Sequence, residues 1–321
     1  MRADSDNLPD ATVNKRIGTA MALLVLAAFA YIALVAIPRA AIATQRIAIE
    51  GSPADVGLAF EEFVVSPGDQ PLSIAGWWMP ADNARAILVF IHGGGSNRTS
   101  SFFQSLAFYR AMVEQGVAVA AIDLRNHGES GSDGRGLQFG RTEKYDALAA
   151  IEWARTRHPE LPLFAMGISM GGATLIQAAH EGPPLDGLIL LDSLLDTVDT
   201  FRQGAWVETG LPPALFAPSA WSATQFFGLP GGDEQALERA AALAIPILAI
   251  QDPGDPVTRA QFSTELARRN PRVTLWQAPA IDPAHPDLAW KERWGSHVSA
   301  FEFHPRETVA AIMAFIRSQS G

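Results

Sequence analysis

Residues 161–179 read LPLFAMGISMGGATLIQAA. An apolar run ending at Ile168 leads into Gly167-Ile168-Ser169-Met170-Gly171, and a helix-patterned run follows at once. A serine between two glycines, on a sharp turn from a buried strand into a helix, has its Oγ exposed at the carboxyl edge of a sheet. Side chains at 167 and 171 would collide with the neighbouring strand and helix, so glycine fits both positions. The helix that follows aims its first N–H groups and positive dipole end at the same point, where negative charge would develop on a carbonyl oxygen under attack. Ser169 is therefore the candidate nucleophile. A simple Gly-x-Ser-x-Gly loop is the plainer alternative.

The pattern on either side of this stretch supports that context. FEEFVVS (60–66) and LSIAGWWMP (72–80) read as two early strands around a turn at Pro67–Asp69. AILVFIH (86–92), VAVAAID (117–123), LPLFAMGI (161–168), LDGLILLD (185–192), IPILAIQ (245–251) and RVTLWQA (272–278) read as further strands. Helical patterns fall between them: 101–116 ending on Gly116 as C-cap, 142–158 with Thr142 placed to cap it, 170–182, 258–270 and 306–318. Uninterrupted Val/Ile/Leu strands alternating with helices predict a mostly parallel α/β sheet with helices on both faces. Ligands in such sheets bind at the carboxyl ends of the strands. Residues 196–240 break the rhythm. They carry Trp206, Trp221, Phe226 and Phe227 with several prolines, and read as a helical, lid-like insertion.

A serine nucleophile needs a base, an acid to orient the base, and donors for the oxyanion. His92-Gly-Gly-Gly-Ser-Asn-Arg98 follows a strand directly, and its glycines let the backbone approach a reacting carbonyl. The expected oxyanion donors are the amides of Gly94 and of Met170, with Gly95 as a substitute. His92 itself reads as structural. In ILAIQDPGDPVT, Asp255 lies far enough beyond the strand to reach a histidine, while Asp252 fits the turn. Asp192, Asp196 and Asp199 are the reserve acids. Among the late histidines, His297 stands in a loop just before the terminal helix. His285 and His304 are the alternatives.

The amino-terminal segment stands apart. Ile17–Ile37 contains no charged residue and matches the hydrocarbon thickness of a bilayer at 1.5 Å per residue. Arg2, Lys15 and Arg16 precede it, and Arg39 and Arg46 follow. That balance leans to a polar cytoplasmic tail at 1–16, a transmembrane signal anchor at 17–37, and a catalytic domain over 50–321 on the extracytoplasmic side. A cleaved signal peptide, cut after the small-x-small sequence at Ala41–Ala43, is the alternative.

Composition narrows the rest. The chain has 321 residues, 48% of them hydrophobic and 18% charged, enough for a large buried core. A net charge of −10 gives no general attraction for nucleic acid. The absence of cysteine excludes disulfides, thiolate metal sites and a cysteine nucleophile.

HGGGSN, DLRNHGESG, GISMGG, PILAIQDPGDPV and SHVSAFEFHPRETVAAIMAFI together resemble the α/β-hydrolase superfamily from about residue 60 onward. The likeness is strongest to prolyl-oligopeptidase-related and serine aminopeptidase-like bacterial hydrolases. It implies the α/β-hydrolase fold, the chain order Ser169, Asp255, His297, and acyl transfer to water without metal or organic cofactor. A serine at the elbow sets it apart from relatives that place aspartate there. Three departures stand out, the first being Asp252, where relatives often carry a glycine. Asn126 replaces a usual glycine, and IDPAHPDLAWKERW (281–294) reads as an insertion ahead of His297. A small acyl substrate, ester, thioester or amide, is implied. The aromatics Trp206, Trp221, Trp290 and Trp294 hint at an apolar one. A serine peptidase and a non-catalytic membrane-tethered binding protein are the rival readings.

Overall fold

The computed structural model describes residues 11–319. The polar tail expected at 1–16 thus lies largely outside the described residues. A helix α1 (Ala11–Tyr31) passes through a π-helical turn (32–36) into α2 (Ile37–Ile42). Within Lys15–Ile42 an 18-residue stretch reaches a mean hydropathy of 2.7, and this helix is long and apolar enough to cross a membrane. Residues 15–32 are exposed along its whole circumference.

The rest alternates strand and helix: β1 (Glu61–Val65), β2 (Ile74–Met79), β3 (Ala86–Ile91), α3 (Ser105–Glu114), β4 (Val117–Ile122), α4 (Lys144–Arg157), β5 (Leu163–Ile168), α5 (Met170–Ala179) and β6 (Gly187–Leu191). The insertion holds α6 (Thr197–Thr209), α7 (Ala217–Phe226) and α8 (Ala236–Ala242). Then come β7 (Ile247–Gln251), α9 (Ala260–Arg269), β8 (Val273–Gln277), α10 (Ala300–Phe303) and α11 (Pro305–Gln319). Among the described residues the eight strands form one sheet in the order β1-β2-β4-β3-β5-β6-β7-β8. Only the β1–β2 and β2–β4 pairings are antiparallel.

The central strands β3, β4, β5 and β6 are apolar and buried at every position because both faces are covered. Ile87, Val89, Ala165 and Leu188 pack with α4, α5, α8 and α9 on one face. Leu88, Phe90, Met166 and Ile189 pack with α3 and α11 on the other. Residues alternate between the two cores with the period of two that a pleated strand imposes.

Most expected elements form within a few residues of their predicted bounds. Gly116 closes α3 at φ +75°, its N–H bonding Val113 O. Thr142, however, does not cap α4. The helix starts after Glu143, whose buried carboxylate instead accepts from the Gln138 and Gly140 amides of the preceding loop. The Thr142 hydroxyl donates to this carboxylate at 3.4 Å rather than accepting from the first turn of α4.

Beneath the carboxyl end of β4, the fully buried Arg125 gathers three carboxylates. It pairs with Asp69 at 2.8 Å, with Asp146 at 2.8 Å and with Asp133 at 3.5 Å. Arg125→Ala leaves those carboxylates without a counter-ion, and removing one partner of a buried ion pair costs about 3–5 kcal/mol. Chemical denaturation of the variant should show a loss of that order, and a loss below 1 kcal/mol would mean the cluster is solvated.

Candidate active site

β5 ends at Ile168 and α5 begins at Met170, so a single residue makes the turn. Ser169 adopts φ +51° and ψ −120°. A non-glycine residue at positive φ costs of order 1–3 kcal/mol and persists only where its surroundings enforce it. Here the Ser169 N–H bonds Leu191 O, while Ser169 O accepts from the Gly172 and Leu194 amides. The flanking glycines have no room for a side chain. A Cβ on Gly167 would lie 2.4 Å from the Gly171 carbonyl carbon, and one on Gly171 would lie 2.3 Å from Ile91 O.

The predicted partners converge on this serine. His297 Nε2 lies 3.0 Å from Ser169 Oγ. His297 Nδ1 lies 2.7 Å from Asp255 Oδ2. His297 and Asp255 are 3% and 5% exposed, so their contact is shielded from water. The Asp255 carboxylate is held by three further contacts within its own loop. The Val257 and Thr258 amides donate to Oδ1, and the Thr258 hydroxyl donates to Oδ2 at 2.6 Å. With Nδ1–H given to the carboxylate, Nε2 is left to accept the serine proton.

The other candidates lie elsewhere. Asp252 makes the turn, accepting from the Gly254 amide. His285 is exposed and accepts from the Asp287 amide. His304 closes α10. Asp196 caps α6 by accepting from the Asp199 amide, and Asp199 pairs with Arg259. Asp192, a reserve acid, is buried immediately behind the site. Its carboxylate accepts from Gln251 Nε2, the Asp252 amide and the Val298 amide. It therefore ties the end of β6 to the loops bearing Asp255 and His297. Burial first, and the nearby Asp255 charge second, push its pKa well above the ordinary carboxylate range. Val298 sits at φ +53°, an outlier for a β-branched residue, directly beside His297. The Asp192 bond to its amide is one of the contacts that enforce it.

The glycine-rich loop after β3 approaches as predicted. A Cβ on Gly93 would lie 3.3 Å from Ser169 Cβ, and one on Gly94 would lie 3.3 Å from Met170 Sδ. Met170 is the first residue of α5, so its N–H has no acceptor within the helix. Gly95 is not a free substitute, because its N–H donates to His127 Nε2 at 3.2 Å. His127 in turn donates from Nδ1 to Arg125 O. His92 is structural, as its position predicts: Nδ1 donates to Gly93 O and Nε2 accepts from the Leu124 amide.

Other features of the loop lie beyond the reach of sequence reasoning. The segment after α2 runs across it: Asn97 Nδ2 donates to Ile47 O and Ala48 O, and the Glu50 amide donates to Thr99 Oγ1. The Leu137 amide donates to Ile42 O at 2.8 Å, and its side chain would lie 3.4 Å from a Cβ on Gly94. Asn126 stands at φ +67°, which asparagine tolerates, and its amide group bonds Asp133 and Gly136 O. The 281–294 insertion forms a 3-10 segment (Pro286–Trp294) that places Trp294 5.7 Å, ring to ring, from His297. Its buried Lys291 donates to Phe102 O, Ser299 Oγ and Glu302. Of the four tryptophans that hinted at an apolar substrate, Trp221 and Trp290 are 52% and 53% exposed.

Comparison with known proteins agrees with this architecture. Residues 82–216 match the family model described as serine aminopeptidase, S33. The fold superposes on an esterase of Pyrococcus furiosus with a TM-score of 0.68 at 21% identity, covering 87% of this chain and 100% of that one. The chain has the α/β-hydrolase fold. A second hydrolase of this fold, an esterase of Thermogutta terrifontis, superposes with a TM-score of 0.57 at 16% identity, covering 81% and 100% of the two chains. By sequence, the chain is 29% identical over 120 residues to rat monoglyceride lipase and 29% identical over 131 residues to the human protein. Those alignments cover 37% and 39% of the chain, and only 38% and 42% of the two lipases' own lengths.

Burial, then the neighbouring His127, lowers the His92 pKa to about 3. The folded state therefore keeps His92 neutral while the unfolded chain takes up a proton below an ordinary value near 6.5. Stability from this residue is whole above pH 6.5 and falls as the pH drops, by about 2 kcal/mol between pH 7 and pH 5. His92→Gln should remove that much of the pH dependence, read from paired denaturation curves. Parallel curves for variant and parent would show that His92 titrates normally.

Proposed function

We propose that the chain is a membrane-anchored serine hydrolase that cleaves a carboxylic ester through Ser169, His297 and Asp255. The observation that carries this reading is the unbroken relay of 3.0 Å from Ser169 Oγ to His297 Nε2 and 2.7 Å from His297 Nδ1 to Asp255. It is aimed from a strained elbow at the carboxyl edge of the sheet.

In the proposed cycle, Ser169 Oγ attacks the acyl carbon while His297 Nε2 takes its proton. The carbonyl oxygen becomes an oxyanion held by the Gly94 and Met170 amides, preorganised donors that need no reorganisation as charge develops. Collapse expels the alcohol, which leaves with the proton from Nε2, and the acyl group stays on Ser169. Water then attacks this ester. His297 takes a proton from it, and returns that proton to Oγ as the acid is released. Asp255 holds the imidazole tautomer and stabilises the imidazolium formed twice in each turnover.

The likeness to monoglyceride lipases supports a fatty acyl ester over a small polar one, as does the exposed 28-residue apolar helix read as an uncleaved signal anchor. Retention of this helix is further supported by its contacts with the folded domain, since cleavage after Ala43 would remove residues that pack on it. The positive-residue balance supports an extracytoplasmic catalytic domain. The family description favours a second reading, a peptidase acting on short peptides.

The test is hydrolysis of p-nitrophenyl esters of graded chain length, alongside aminoacyl p-nitroanilides. Ester turnover rising with acyl length is expected, and Ser169→Ala and His297→Ala should each lower kcat about 10⁴-fold or more. Asp255→Asn should cost about 10⁴-fold, and His285→Ala should match the parent. Turnover of the anilides alone would replace the esterase reading with the peptidase one. Ester turnover that survives Ser169→Ala would remove the mechanism.

A further inference from the structure

The outer end of the apolar helix is not a free tether. Pro38 has no N–H, so the carbonyl four residues earlier, Leu34 O, loses its helical donor. The chain passes through a π-helical turn at 32–36 in this region. The Ser222 hydroxyl, from α7 of the insertion, donates to Leu34 O at 2.5 Å. A freed backbone carbonyl in a membrane helix must find such a partner, and a neighbouring hydroxyl is a common one. Around this bond, Ile37 and Ile42 pack on the insertion's own small core of Phe201, Ala220, Ala223 and Leu229. The face of α7 turned to the helix carries Ala220, Ser222 and Ala223, small enough for close backbone approach.

The height of this contact follows from helix geometry. Leu34 is 18 residues beyond Arg16, and 1.5 Å per residue puts it about 27 Å further along the axis. A bilayer's hydrocarbon layer is about 30 Å thick. With Lys15 and Arg16 at one headgroup layer, Leu34 lies at the opposite boundary of the hydrocarbon, and Ser222 lies there with it. α7 also carries Trp221 and Phe226, 52% and 71% exposed and in edge contact with each other at 5.6 Å. The turn leading into α7 exposes Leu211 and Leu215, at 51% and 61%. Aromatic side chains of this kind concentrate at the lipid–water boundary.

We propose that α7 is a membrane-docking surface, bolted to the anchor by the Ser222–Leu34 bond, with Trp221 and Phe226 seated in the outer lipid–water interface of a phospholipid bilayer. This rests on the anchor reading above. The docking has a direct line to the chemistry. Gln138 Nε2 donates to Phe227 O at the end of α7, and its neighbour Leu137 joins Ile42 O to the Gly94 contact. The rim of the Ser169 site is thus set within a few bonds of the point where the chain leaves the bilayer.

The chain has no cysteine, so single-cysteine variants of the full chain can be labelled with an environment-sensitive fluorophore at one place each. In phosphatidylcholine–phosphatidylglycerol vesicles, labels at Trp221→Cys and Phe226→Cys should lose fluorescence to a lipid carrying its nitroxide just below the headgroup. Leu26→Cys, in mid-helix, should lose it to a nitroxide near the acyl chain end. Val64→Cys, exposed on β1, should respond to neither. Deep quenching at 26 with positions 221 and 226 behaving like 64 overturns the docking and leaves the anchor standing. No quenching at 26 overturns the anchor and the docking with it. Energy transfer between copies labelled at 221, without nitroxide quenching there, would show a second copy on this face and also overturn the proposal.

Discussion

The one-residue turn at Ser169 is the constraint on which the rest depends. The central parallel strand β5 must hand over to α5 without an intervening loop, and it does so only because positions 167 and 171 have no Cβ. The cost is a positive φ at the serine, and the sheet supplies the bonds that hold it: Leu191 O from the neighbouring β6, and two amides on the serine's own carbonyl. The same geometry fixes the first amide of α5 beside the serine Oγ and brings the glycine loop after β3 within van der Waals reach. The candidate nucleophile and the amides proposed as oxyanion donors are thus positioned by packing of main chain on main chain, the least deformable contact available.

Around the elbow, strain and buried polar groups occur together. Ser169, Asp192 and Val298 all stand at positive φ, and each belongs to a loop that carries or touches a reacting group. Asp192 is the joint between them. Its carboxylate receives three hydrogen bonds, two of them from amides in the loops of the acid and the base, at no exposure to water. On the other side, His92 and His127 perform the same service for the glycine loop, as buried neutral imidazoles between backbone groups. A polar network that is fully satisfied in this way gives rigidity, and rigidity is what an oxyanion site requires.

The strands and the Ser169–Asp255–His297 set were legible because each depends on local pattern: a run of β-branched residues, glycines flanking a serine, an aspartate beyond a strand end, a histidine ahead of the last helix. Residues whose roles depend on distant partners were not. Gly95 read as a substitute for Gly94, but its amide is engaged by His127, 32 residues away. Thr142 satisfied the rules for a helix cap, but its hydroxyl donates to the Glu143 carboxylate instead. Trp221 read as one aromatic of a lid-like insertion, yet it is half exposed, with the apolar helix packed against α7. Nothing in the local sequence around Pro38 announces that Ser222 would supply its missing partner, since the two lie 184 residues apart.

The central claim is that Ser169 is activated by the relay behind it. The most direct measurement is reaction of the full chain with a fluorophosphonate, followed by peptide mass spectrometry. The account predicts one adduct per chain, on Ser169, absent when His297 is replaced by alanine. A chain that stays unlabelled, or that carries its adduct on another serine, would contradict it.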